Sequence, residues 1–303
     1  MINVRHTLNL FAVVAIAFLA FACGDDKKKS KGELAAEAEV YQEAENKVIA
    51  EIDKVVHDMP PPSEIPYLLM ATGADFNGSI INPIDNASKY YNSADKAAMN
   101  LGAYASDIAY LSSYDKVQDA LKYMETSQKL ADQIGISSAF ELELMERFES
   151  NLGNKDSLAN LINYAMKVAE KKLEETDRLQ MVALVLSGSY IEGLYLSVMV
   201  LDTYPEDLLP AASRDLILEP IVRLIIDQSK SLEDVIIMLK DLDSDPIIAE
   251  VISEFDILNV LYKQDLANVH QRIADQDPTL KLNKALLVDI IKEVKRIRSE
   301  MVE

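Results

Sequence analysis

Apolar residues recur at steps of three and four along most of this chain. That spacing puts them on one face of an α-helix. Ala38, Tyr41, Val48, Ile52 and Val55 form such a stripe and predict a first helix over about 33–56. Pro60, Pro61 and Pro62 end it, because proline lacks the amide donor and holds its predecessor extended. Over 60–86 the periodicity lapses, which predicts a long irregular loop. Helices follow over about 87–111 and 115–134, turning at Ser112-Ser113-Tyr114. Ser138 with Glu141 reads as a capping box for a helix to about 150, and another helix spans about 155–175. Asp177 with Gln180 repeats that pattern ahead of a long helix that Tyr204-Pro205 breaks. Ser213 opens a helix to about 228, bent at Pro220, and Ser231 with Asp234 opens one to about 242. Asp245-Pro246 is a cap followed by proline at the first helical position, opening a helix to about 274. Asp277-Pro278 precede a final helix to about 301. Its Lys292, Lys295, Arg296 and Arg298 lie where cations suit the negative end of the helix dipole.

Roughly ten helices with short connections predict an all-α fold, an irregular multi-helix bundle or helical array forming one domain over 34–303. Composition agrees. Of 303 residues, 49% are hydrophobic, enough for a sizeable core, and Gly (9) and Pro (10) are scarce. Asn100-Leu101-Gly102-Ala103-Tyr104 and Ala120-Leu121-Lys122-Tyr123, either side of the turn, resemble one tetratricopeptide-type helical hairpin. No second copy follows at that family's period of about 34 residues, so a solenoid and a closed bundle both stay open.

Charge narrows the partners. Fifty acidic residues against thirty basic ones give a formal net charge of −20. Such a field repels phosphate backbones, so the expected partners do not include nucleic acid. It also disfavours a broad basic face for docking on anionic lipid.

The N-terminus carries a sharper signal. Arg5 precedes an apolar run over 10–22, shorter than the roughly 20 residues a transmembrane helix needs. Leu19-Ala20-Phe21-Ala22-Cys23 then resembles the lipobox of bacterial lipoproteins, with Ala20 standing where leucine is commoner. The resemblance implies a signal peptide over 1–22, cleavage before Cys23, and acyl chains on Cys23 that anchor the protein in a membrane. A plain secretory signal and a retained transmembrane anchor are the alternatives. Cys23 is the single cysteine, so no intrachain disulfide can form. Residues 24–33, GDDKKKSKGE, contain no apolar side chain and read as a solvated tether. Gly24 after the cysteine is compatible with the outer membrane, facing the periplasm, in a diderm host.

Candidate chemistry is sparse. Residues 181–201, MVALVLSGSYIEGLYLSVMVL, carry one charge, Glu192. Ser187, Gly188, Ser189 and Gly193 at the middle favour a buried central helix over a second transmembrane span. Gly188 and Gly193 there predict close helix packing. A buried Glu192 must be paired, hydrogen-bonded or protonated. Asp107 sits in a similar apolar segment with Tyr104 and Tyr110, while Tyr190 and Tyr195 flank Glu192. These residues either line a pocket for a cationic or sugar-like ligand or form a structural network involving a tyrosine or an arginine. In the 60–86 loop, Asp75, Phe76 and Asn77 mark a candidate protein contact. Asp75, Asn77 and Ser79 alternate like calcium ligands, but Ile80 and Asn86 stand where an EF-hand needs Gly and Glu. His57 and His270 belong to no metal motif, and no phosphate loop or nucleophile elbow occurs. No cofactor and no metal is expected. The expected function is a lipid-anchored, non-enzymatic binding or scaffold module for an envelope protein partner. A small-ligand pocket at Glu192 and Asp107 is the alternative, with a hydrolase of cryptic site behind it.

Overall fold

The computed structural model describes residues 31–58, 64–136, 146–148, 150–151, 154–174, 178–242 and 245–303. The signal segment, Cys23, Pro60–Pro62 and the Ser138–Glu141 box lie outside these residues. Every regular element is helical: the chain is all-α, with no strand among the described residues. It divides into two compact units, 1–46 and 47–303, with the border inside the first helix.

Helix α1 covers Lys31–Asp58. The predicted long loop is interrupted by α2 (Glu64–Ala71). Pro66 is compatible with that helix because a proline in the first turn sacrifices no intrahelical hydrogen bond. The chain is irregular only to Pro83, where a 3₁₀ turn, Ile84–Asn86, begins. The single helix expected over 87–111 is two, α3 (Ala87–Tyr90) and α4 (Ala94–Ser113). Ser93 stops the first and caps the second, its hydroxyl accepting from Lys96 N.

Helix α5 (Val117–Gln133) follows a tight reversal. Asp115 takes φ +58° and Lys116 N donates to Leu111 O at 2.9 Å, closing the end of α4 with a six-to-one bond. Gly135, at φ +74°, ends α5 the same way, with Ile136 N donating to Ala131 O. After α6 (Lys155–Glu174) comes α7 (Leu179–Thr203). Asp177 lies outside the described residues, and the N-cap is Arg178, which makes no side-chain cap bond.

Two helices expected between 213 and 242 are one, α8 (Ala211–Lys240), which runs through Pro220. The Ser231 and Asp234 that resemble a helix start are buried mid-helix, where Asp234 holds Lys54 of α1 at 2.6 Å. Conversely, the helix expected from 246 to 274 is divided into α9 (Pro246–Asp265) and α10 (Val269–Ala274). Asp245 caps α9 as expected, accepting from Ile247 N at 2.9 Å. The last helix, α11 (Val288–Val302), starts later than expected, after a 3₁₀ turn over Lys284–Leu287.

Within 47–303 the core forms around α4 and α7, the most extensively packed helix pair. α4 is buried on every face from Asn100 to Ser113, so it is a central helix rather than one layer of an open repeat. α7 is long and apolar enough to cross a membrane by length and composition, yet 89% of that window is buried inside the fold. Around the pair, α2, α6, α8 and α11 pack on α7, and α5 packs on α4. Close approach is set by two glycines. A Cβ on Gly102 would stand 1.9 Å from Val185 O, and one on Gly188 would stand 1.9 Å from Met99 O. Gly193, also expected at a close crossing, faces only the flexible tip of Ile65, 3.1 Å away.

Candidate functional site

Where α4 and α7 cross, both predicted carboxylates are fully buried. Burial of an ionised carboxylate is costly unless a countercharge and hydrogen bonds replace water. Glu192 receives both from Arg298 of α11. Arg298 Nε donates to Oε2 and Nη2 to Oε1, each at 3.0 Å. This parallel fork is the strongest geometry available to a guanidinium and a carboxylate. The Arg298 guanidinium also lies 4.4 Å from the centre of the Tyr195 ring, which adds a cation–π contact.

Asp107 completes a triad. Its Oδ2 accepts from Asn82 N at 3.1 Å, and the Glu192 carboxylate lies close enough to disfavour its ionisation. Two carboxyls and one guanidinium balance only if one proton stays. Burial first, and the neighbouring Glu192 charge second, raise the Asp107 carboxyl well above its ordinary range, while Arg298 and the Asn82 amide pull the other way. Oδ1 of Asp107 has no protein donor facing it. A proton on Asp107 would make the triad neutral.

A polar network extends from the triad to the end of α11. Asn82 Nδ2 donates to Asn100 Oδ1 at 3.0 Å, and Asn100 Nδ2 donates to Met301 O at 3.3 Å. The Tyr90 hydroxyl donates to Val302 O at 2.8 Å, and burial pushes its pKa up to about 12. Tyr104 donates to Pro83 O and packs edge-on against Tyr123, with ring centres 5.4 Å apart. Of the predicted cluster, Asp107, Glu192 and Tyr195 therefore surround Arg298, and Tyr104 anchors the 3₁₀ segment close by. Tyr190 does not join them. It donates to Gln228 O of α8 and meets Phe255 of α9 edge-on. Tyr110 likewise serves a different cluster, accepting from Asn77 N at 3.2 Å.

Sequence reading missed Arg298, Asn82, Asn100, Tyr90 and Tyr123. The C-terminal cations are not idle dipole partners. Arg298 serves Glu192, Lys295 binds Asp202 at the end of α7, and Arg296 joins Glu254 of α9 to Glu293 and Glu300. A lone Glu192 in an apolar helix was the one signal that a buried partner, a hydrogen bond or a proton is needed there.

The 72–83 segment is organised by its aromatic residue. Phe76 packs on Tyr110 and Tyr114 at 5.6 and 5.8 Å, and the Lys116 ammonium stands 5.0 Å from its ring centre. Asn77 Oδ1 accepts from the Ser79 amide and hydroxyl, so the side chain forms a turn rather than waiting for a cation. Asp75 is exposed. Among the described residues, no group of three or more His, Cys, Asp or Glu is placed to hold a metal ion. His270 lies 3.9 Å from Asp227 on the surface. No family model, curated protein or solved structure matches this chain.

Proposed function

We propose that the chain is a lipid-anchored cell-envelope protein whose helical domain is a non-enzymatic binding or scaffold module for a protein partner. The observation that carries this reading is Leu19-Ala20-Phe21-Ala22-Cys23, an apolar run ending on the chain's single cysteine ahead of an entirely polar tether. Acyl chains on Cys23 supply the membrane hold that the acidic domain cannot provide by charge. In a diderm host the address is the outer membrane, facing the periplasm.

The helical domain supports a binding role through its surface rather than its interior. The ionisable groups buried where α4 and α7 cross, Glu192, Asp107 and Arg298, are occupied with one another. A small ligand between the two carboxylates must first displace Arg298 from both oxygens of Glu192. The exposed Asp75 and the Phe76–Asn77 turn offer a shaped contact held in place by Tyr110.

Metabolic labelling with a clickable fatty acid tests the anchor. Wild type takes up the label and Cys23→Ala does not; equal labelling of the two ends the proposal. A pull-down from detergent-solubilised envelopes then tests the partner. One stoichiometric partner, lost on Asp75→Ala with Phe76→Ala, supports the module; a clean bait removes the scaffold reading.

A further inference from the structure

We infer that the outer face shared by α8 and α9 binds a second copy of this chain in a two-fold dimer. Two salt bridges cross between these helices, Lys240 to Asp256 at 3.0 Å and Glu233 to Lys263 at 2.8 Å. The paired numbers run in opposite senses, so the helices are antiparallel along this face. Between the bridges each helix presents an aliphatic side chain to solvent: Ile237 on α8, 43% exposed, and Val260 on α9, 48% exposed. Ile257 extends the strip at 46%, and a shallow groove beside it is lined by Ala249, Ile252 and Ser253. An apolar centre with a charged rim is the anatomy of an interface.

Charge arrangement selects the occupant. The four rim charges form a rectangle with like signs on its diagonals, Glu233 and Asp256 on one, Lys240 and Lys263 on the other. A two-fold axis lying in the plane of that rectangle, along its length, brings every corner over a corner of opposite sign, Glu233 over Lys263 and Lys240 over Asp256. It also sets Ile237 over Val260. Self-complementarity of this kind is what an isologous interface requires, and a partner of uniform charge gains nothing from it. The inference does not depend on acylation of Cys23.

Sedimentation of the full chain in a non-ionic detergent, across a concentration series, reads the outcome. Wild type passes from one to two protein copies as concentration rises. Ile237→Glu with Val260→Glu, in the same detergent, weakens dimerisation by more than about tenfold, because it buries charge at the centre. Glu233→Lys with Lys263→Glu keeps the bridge within each copy and leaves self-association within about threefold of wild type. Mixed with wild type under separate fluorophores, it forms fewer hetero-dimers than random pairing gives, because like charges now meet. Three results would each overturn the inference: a wild type that stays monomeric, which leaves the face to another partner or to solvent; dimers indifferent to the two glutamates; or random mixing of the charge-swapped chain.

Discussion

Arg298 reaches Glu192 across 106 residues of chain and meets it with two donors, each 3.0 Å from its own carboxylate oxygen. Removing one partner from such a buried pair leaves an uncompensated charge, at a cost of about 3–5 kcal/mol. Arg298→Met therefore destabilises the domain by that amount in urea denaturation. The double variant Arg298→Met with Glu192→Gln recovers most of the loss. A double variant as unstable as the single one would show that packing of the long side chain, not charge, is what matters.

Stability depends on pH through Asp107. Its carboxyl is raised by burial and then by Glu192, so the folded chain holds the proton more tightly than the unfolded chain does. The unfolded carboxyl ionises near pH 4. Above that, the unfolded state gains by ionising while the folded state does not, and this contribution to stability is lost as pH rises toward the folded value. Asp107→Asn mimics the protonated form, its side-chain oxygen accepting from Asn82 N. It matches wild type at pH 4 and is the more stable of the two at pH 8. A deficit that is the same at both pH values would show that Asp107 carries no proton.

Gly102, Gly188 and Gly193 separate by what faces them. Gly102→Ala and Gly188→Ala drive a methyl into a backbone carbonyl 1.9 Å away, which only a shift of a whole helix relieves. Each costs about 3 kcal/mol or more, at or above the upper end for overpacked cores. Gly193→Ala meets only the Ile65 methyl and gains up to about 1 kcal/mol of helix propensity, so its thermal midpoint stays within a few degrees of wild type.

Tyr90→Phe deletes the donor to Val302 O inside the network that pins α11. The orphaned carbonyl costs about 1–3 kcal/mol. Hydrogen exchange over 298–303 speeds up in this variant while the centre of α7 stays protected. Uniform acceleration across both helices would mean that Tyr90 supports the whole core instead.

Periodicity made α7 legible almost to the residue, because Tyr204-Pro205 ends it and its interior contains no competing cap. Asp245-Pro246 was equally plain, since both residues act on the adjoining backbone. Failures came where a local pattern serves a distant purpose. Ser231 and Asp234 imitate a helix start, yet Asp234 is held mid-helix by Lys54 across 180 residues. Glu192 could be identified as a residue needing a partner, but nothing local distinguishes Arg298 from the neighbouring surface cations Lys292 and Lys295. Tertiary pairing is decided by which faces the helices bury together, and that information is spread over the chain.

The countercharge in the last helix sets an order of events during synthesis. A ribosome delivers Asp107 and Glu192 long before it delivers Arg298. Until then the crossing of α4 and α7 encloses two acids with no cation, and its best course is to stay open or take up protons. Folding of the 47–303 unit is therefore completed from its far end, and a nascent chain halted before residue 298 lacks the cation that closes its core.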